Sequence, residues 1–197
     1  MSVTREQVES ALKQYIDPYL EKDPVTAGVV KDIAIEGDKV KVIIVLGYPA
    51  FGFVDKLSAD LKAKIEALDG VSSAEVDAKW EIGSHTVQGG MNPLEGIKNV
   101  IAVASGKGGV GKSTTSVNLA LALQMEGARV GILDADIYGP NVPTMMGVEK
   151  IPPPKENLIV PAMSYNVKVM SIGFMVSPEQ PLIWRGPMLH SAIRQFI

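Results

Sequence analysis

Not one cysteine occurs among the 197 residues. No disulfide can form within the chain, and its side chains alone cannot build a thiolate zinc or iron–sulfur site. Histidine is almost as scarce. His85 and His190 stand far apart, so an imidazole metal centre is not expected. No window holds 18 uninterrupted apolar residues, which excludes an ordinary membrane-spanning helix. The first ten residues, MSVTREQVES, lack the apolar core of a secretory signal, so a cytoplasmic address is expected. An excess of positive charge is also missing. Lys plus Arg total 19 against 22 for Asp plus Glu, a net charge of −3. That balance argues against nucleic acid or membrane as a partner. The 46% hydrophobic and 21% charged fractions are those of a folded chain.

The charge that is present is unevenly spread. Residues 1–85 carry 10 basic and 15 acidic side chains, whereas 86–197 carry 9 and 7. The change coincides with GSHTVQGGMNPLEG at 83–96, a glycine-rich polar stretch without sustained periodicity, which reads as a linker. Two units are expected: a small α+β domain over 1–82 and a larger α/β unit over 97–197.

The first unit reads α-β-β-α-β. Thr4 and Gln7 form the pattern of a capping box. Val8, Ala11, Leu12, Tyr15 and Ile16 then recur at helical spacing, with Pro18 as the stop. Strands are expected over 29–35 and 39–46 around a Gly37-Asp38 turn. A second helix should follow along Val54, Leu57, Leu61, Ile65 and Leu68, ended by Gly70. Ala74, Val76, Ala78 and Trp80 alternate with charged residues as in a half-buried strand. No catalytic constellation is visible here. The acidic residues suit a solvated face or a docking surface, and Phe51 and Phe53 suit either the core or an exposed recognition loop.

The second unit carries the chemistry. NVIAVAS at 99–105 is almost wholly apolar, as a strand buried in a parallel sheet would be. It runs into GKGGVGKST: Gly106, Lys107, Gly108, Gly109, Val110, Gly111, Lys112, Ser113 and Thr114. Val117, Ala120, Leu121 and Met125 follow at helical spacing, and Gly127 closes the helix. Strand, glycine loop and helix are the context of a phosphate-binding loop. Glycines let successive N–H groups turn inward toward a phosphate, and the helix N-terminus adds partial positive charge. Lys112 can reach the β- and γ-phosphates of ATP, and the Ser113 hydroxyl can ligate Mg²⁺. A further strand over 128–133 ends in DADIYGPNVP. Asp134 and Asp136 there share side-chain parity, so both are candidates to face the phosphates, or are simply polar residues at a strand end. Two more strands are expected in ENLIVPAM and NVKVMSIGF around Ser164-Tyr165-Asn166, and a short helix over 188–197. Arg185 suits a nucleotide or partner contact as well as a surface ion pair. Met125, Met145, Met146, Met163, Met170, Met175 and Met188 share no ligand spacing and read as core filler.

From residue 96 to 123, GIKNVIAVASGKGGVGKSTTSVNLALAL, the sequence resembles the Mrp/ApbC family of iron–sulfur cluster carrier ATPases, of the MinD/ParA-like P-loop class. The early second lysine, Lys107, is the mark of that class's deviant Walker A loop. DADIYGPNVP and LIWRGPM fit the same family, and the N-terminal unit resembles the small iron–sulfur-assembly domain of bacterial members. The resemblance implies an ATP-hydrolysing carrier working as a homodimer with apo iron–sulfur proteins and cluster-assembly factors. It implies that residues 106–113 wrap ATP with Mg²⁺ on Ser113, and that Lys107 reaches the partner subunit's nucleotide. Asp136 would orient the attacking water, and Asp134 would support it or the metal shell. Members of the family continue into a Walker B strand and a Cys-x-x-Cys pair that holds a bridging cluster. Neither is present here, so a fragment holding the first part of a doubly wound P-loop domain is expected. A MinD- or ParA-like spatial-organising ATPase, or a nucleotide-binding fragment without catalysis, are the alternative readings.

Overall fold

The computed structural model describes residues 3–84, 94–136, 139–156, 158–174 and 196. The chain divides into two compact units, Met1–His85 and Thr86–Ile197.

In the first unit, helix α1 (Arg5–Leu12) opens on a capping box. The Gln7 amide donates to Thr4 Oγ1 at 3.3 Å, and the Thr4 amide donates back to Gln7 Oε1 at 2.9 Å. Strands β1 (Val30–Glu36) and β2 (Lys39–Leu46) form an antiparallel hairpin. Gly37, with φ of +66°, supplies the left-handed turn residue. Helix α2 (Val54–Glu66) then carries the chain to β3 (Ser73–Trp80), which pairs parallel with β2. The sheet order is β1-β2-β3. Strict alternation on β2 buries Val40, Val42, Ile44 and Leu46 in one core with Leu57, Leu61 and Ile65 of α2 and Val8 and Leu12 of α1.

One detail departs from the sequence expectation, and two alternatives left open there are resolved. Helix α1 stops at Leu12 rather than running on to Pro18. The Gln14 and Tyr15 amides donate to Ala11 and Leu12, three residues back, which tightens the helix end. Beyond it Asp17 organises its own turn. Its buried carboxylate accepts from the Tyr19 and Leu20 amides through Oδ1, at 2.8 and 2.9 Å, and from the Tyr48 hydroxyl through Oδ2, at 3.0 Å. Burial, and then that bond to Asp17, push the Tyr48 hydroxyl well above the ordinary tyrosine range. The two loop aromatics also separate. Phe53 enters the core, whereas Phe51 is 65% exposed and meets Trp80 in a T-shaped contact, with ring centroids 6.2 Å apart.

The second unit is α/β. Helix α3 (Lys112–Met125) leads to β4 (Gly131–Asp134), the short helix α4 (Val142–Met145), and a hairpin of β5 (Ala162–Ser164) and β6 (Val167–Ser171), closed by a 3₁₀ turn at Ile172–Phe174. The sheet order is β4-β6-β5, with β4 parallel and β5 antiparallel to β6. Tyr165 and Asn166 both have positive φ, +47° and +62°, as a two-residue hairpin turn of this hand requires. Val117 and Ala120 of α3 pack with Val142, Met146, Val167 and Val169. Met146 and Met170 are buried as core filler, but Met125, Met145 and Met163 lie on the surface.

The expected strand over 99–105 is corrected. This segment forms no strand, and Val100 and Ile101 are 73% and 61% exposed. A fully buried parallel strand is held by ladders on its flanks, and among the described residues no strand pairs with it. Likewise β4 begins at Gly131, not at 128, and of ENLIVPAM only the end joins a strand. The readings placed on 85–93, on Met175, on Arg185 and on His190, and the helix expected over 188–197 apart from residue 196, lie outside the described residues.

Candidate nucleotide site

The glycine loop runs into α3 through Gly109 and Gly111, whose φ angles are +71° and +87°. A side chain at either position would be strained whatever room it had. Gly111 is the residue before the first helical turn and has no side chain to cap it. The opening amides of α3 therefore keep no side-chain acceptor from that position, and the first intrahelical bond runs from the Thr115 amide to the Gly111 carbonyl at 2.9 Å. No acidic residue lies in the first turn of α3 to neutralise its positive end. Lys112 folds back over the loop, with Nζ donating to the Lys107 carbonyl at 3.5 Å. Neither Lys107 nor Lys112 makes an ion pair among the described residues. Residues 106–111 are exposed and Ser113 is half-buried at the helix start. Unopposed cations, a positive helix end and open amides on one glycine turn make a site for a multiply charged anion.

The two aspartates have different environments. Asp134, the last residue of β4, is buried. Its Oδ1 accepts from the Asp136 amide at 3.1 Å, and its Oδ2 accepts from the Val142 amide at 3.2 Å and the Ser171 hydroxyl at 3.3 Å. Asp136 lies beyond the strand, where alternation no longer governs side-chain direction. It is exposed, and its Oδ1 accepts from the Gly139 amide at 3.2 Å. Asp134 is thus a buried anchor and Asp136 an exposed carboxylate. No hydrogen bond joins the 106–114 loop to either aspartate among the described residues. Ser171 escaped sequence reading because 37 residues separate it from Asp134. Only the parallel pairing of β4 with β6 sets the two opposite each other.

The donor set fits Mg²⁺ held with a nucleotide. No cluster of three or more His, Asp or Glu among the described residues could cage a metal. Mg²⁺ at phosphate sites keeps several waters and takes few protein ligands, so a single hydroxyl such as Ser113 suffices. Both oxygens of Asp134 are already engaged, which suits support from outside the metal's first ring of ligands better than direct ligation. Among the described residues no helix is long and apolar enough to cross a membrane.

Glycine loop, helix and a partly parallel sheet define a P-loop nucleotide-binding unit. Comparison with known proteins narrows this. A family model described as NUBPL iron-transfer P-loop NTPase matches residues 96–197, and one described as iron-sulfur cluster assembly protein matches 5–78. An iron-sulfur cluster carrier protein of Synechocystis is 40% identical over 200 residues, covering 99% of this chain and 57% of its own length. One from Pseudomonas fragi is 50% identical over 140 residues, 70% of this chain and 49% of its own. A solved nucleotide-binding protein from Archaeoglobus fulgidus, in complex with ADP, is 38% identical with a TM-score of 0.39, covering 48% of this chain and 35% of its own. The chain belongs to the iron-transfer P-loop NTPase family, joined to an iron–sulfur-assembly-type unit, and it spans about half the length of the curated relatives it matches.

Proposed function

We propose that this chain is part of an ATP-hydrolysing iron–sulfur cluster carrier, a cytoplasmic homodimer that assembles clusters or transfers them to apo-proteins. In this reading residues 1–82 form the assembly-type domain, 83–96 the linker and 97–197 the first portion of the ATPase domain. The observation that carries the nucleotide half is the loop from Gly106 to Thr114, with two left-handed glycines, an uncapped helix start and Lys112 folded over it. The cluster half is supported by the relatives' names and by the pairing of the two family units in one chain.

Each loop residue then has a task. Amides from Gly108 to Thr114 bind the phosphate oxygens, and Lys112 neutralises charge on the β- and γ-phosphates. Ser113 would hold Mg²⁺, which would withdraw charge from the phosphates. Lys107 extends across a symmetric interface to the other subunit's γ-phosphate, where charge grows as the bond to the leaving oxygen breaks. Asp136 accepts a hydrogen bond from the attacking water and sets its line of approach. Asp134 fixes the segment that carries Asp136.

The cluster itself is cargo, and its cysteine ligands belong to the part of the longer protein that this chain does not cover. Anaerobic reconstitution with iron and sulfide tests this. The full-length protein should acquire a stable iron–sulfur absorption band and pass the cluster to an apo-acceptor. Residues 1–197 alone should stay colourless, because no thiolate is available. A stoichiometric, stable band from 1–197 alone would overturn the assignment.

A further inference from the structure

We propose that Ser171 is a positioning residue for ATP hydrolysis, acting through Asp134 to fix Asp136. The proposal rests on the reading of Asp136 as the water-orienting carboxylate. Ser171 closes β6, is fully buried, and sits in ladder register with Asp134 of β4. The Gly173 amide donates to Ser171 Oγ at 3.1 Å and occupies a lone pair. The hydroxyl hydrogen is then directed at Asp134 Oδ2, 3.3 Å away. Asp134 Oδ2 also accepts from the Val142 amide, the first residue of α4, and Oδ1 accepts from the Asp136 amide. The carboxylate is held from β6 on one oxygen and holds the Asp136 backbone with the other.

A second contact fixes the same segment without hydrogen bonds. A Cβ built on Gly173 would lie 3.0 Å from Pro140 Cγ, so the 3₁₀ turn after β6 packs directly on the segment between Asp136 and α4. Removing the Ser171 hydroxyl leaves the carboxylate with one amide on each oxygen, Asp136 on Oδ1 and Val142 on Oδ2, and takes away its only tie to β6 among the described residues, so it is held less firmly. A methyl at Gly173 would crowd both Pro140 and Ser171 Oγ, the latter at 3.3 Å. Neither change touches the 106–114 loop, so nucleotide binding and hydrolysis should separate.

The test uses the full-length protein and measures ATP turnover together with amide hydrogen exchange. For Ser171→Ala kcat should fall about tenfold with KM for ATP within about twofold, the size of one lost hydrogen bond to a charged group, and Gly173→Ala should lower kcat in the same direction with KM likewise unchanged. Exchange at the Asp136 and Val142 amides should accelerate in Ser171→Ala without nucleotide present. Parental exchange at both amides would overturn the positioning role whatever the activity. A fall in kcat matched by a rise in KM and a lower Tm would also overturn it, since that is what a merely structural residue gives. A parent without ATPase activity would refute the proposed function instead, and the exchange measurement would still judge Ser171.

Discussion

Lys107→Ala, made in the full-length protein, is expected to leave Mg-ATP binding nearly intact and to cut hydrolysis roughly a thousandfold, the scale of a charge supplied in trans to a phosphoryl transition state. Lys107 lies five residues before Lys112 on an exposed loop, and the Lys112 ammonium already folds over the turn toward the Lys107 carbonyl. Two cations on one short turn repel each other, weakly in water and more strongly where water is excluded. In a symmetric pair each site would receive the partner's lysine beside its own Lys112, and the phosphates of the bound nucleotide would balance both cations where the transition state develops charge. Hydrolysis then depends on pairing, so specific activity should rise with protein concentration through the range where monomers dimerise. Asp136→Ala should likewise keep binding and lose rate. A flat concentration dependence, with Lys107→Ala at the parental rate, would leave an ordinary single-site enzyme.

Lys112→Ala has the opposite signature. This side chain makes no ion pair among the described residues, and its 3.5 Å contact to a carbonyl is long for a hydrogen bond. An ammonium so weakly engaged is available to a phosphate at little cost. A charge-assisted hydrogen bond contributes about 1.5–3 kcal/mol, so its loss should weaken ATP binding roughly 10- to 100-fold. Titration with a fluorescent ATP analogue reads this directly. Equal affinity in parent and variant would remove Lys112 from the site.

Local chemistry was the legible part of this sequence. The Thr4–Gln7 capping box, the alternation along β2 and the glycine loop into α3 each lie within a few residues of chain, and each forms as its spacing dictates. What failed depended on distant partners or on competition between local motifs. The apolar run over 99–105 has the composition of a buried strand, yet composition cannot supply the neighbouring ladder, and Val100 and Ile101 stand exposed. Helix α1 has apolar spacing through Ile16, but the turn organised by Asp17 wins over its continuation, and Ile16 is left on the surface. Parity made Asp134 and Asp136 equivalent candidates, but the strand ends at Asp134, so their different burial was not legible from it. Ser171 left no local signal, because its role is created by the register of two strands.

The account stands on the 106–114 loop as the place where nucleotide is held. Amide hydrogen exchange on the full-length protein, with and without Mg-ATP, tests this at residue level. Occupancy of the site should slow exchange at the amides from Gly108 to Thr114, the groups proposed to bind the phosphates. It should leave the β1-β2-β3 sheet of the first unit unchanged, and Lys112→Ala at the same nucleotide concentration should abolish most of the protection. Loop amides that exchange at the same rate with and without Mg-ATP, under conditions where the protein demonstrably binds nucleotide, would contradict the account.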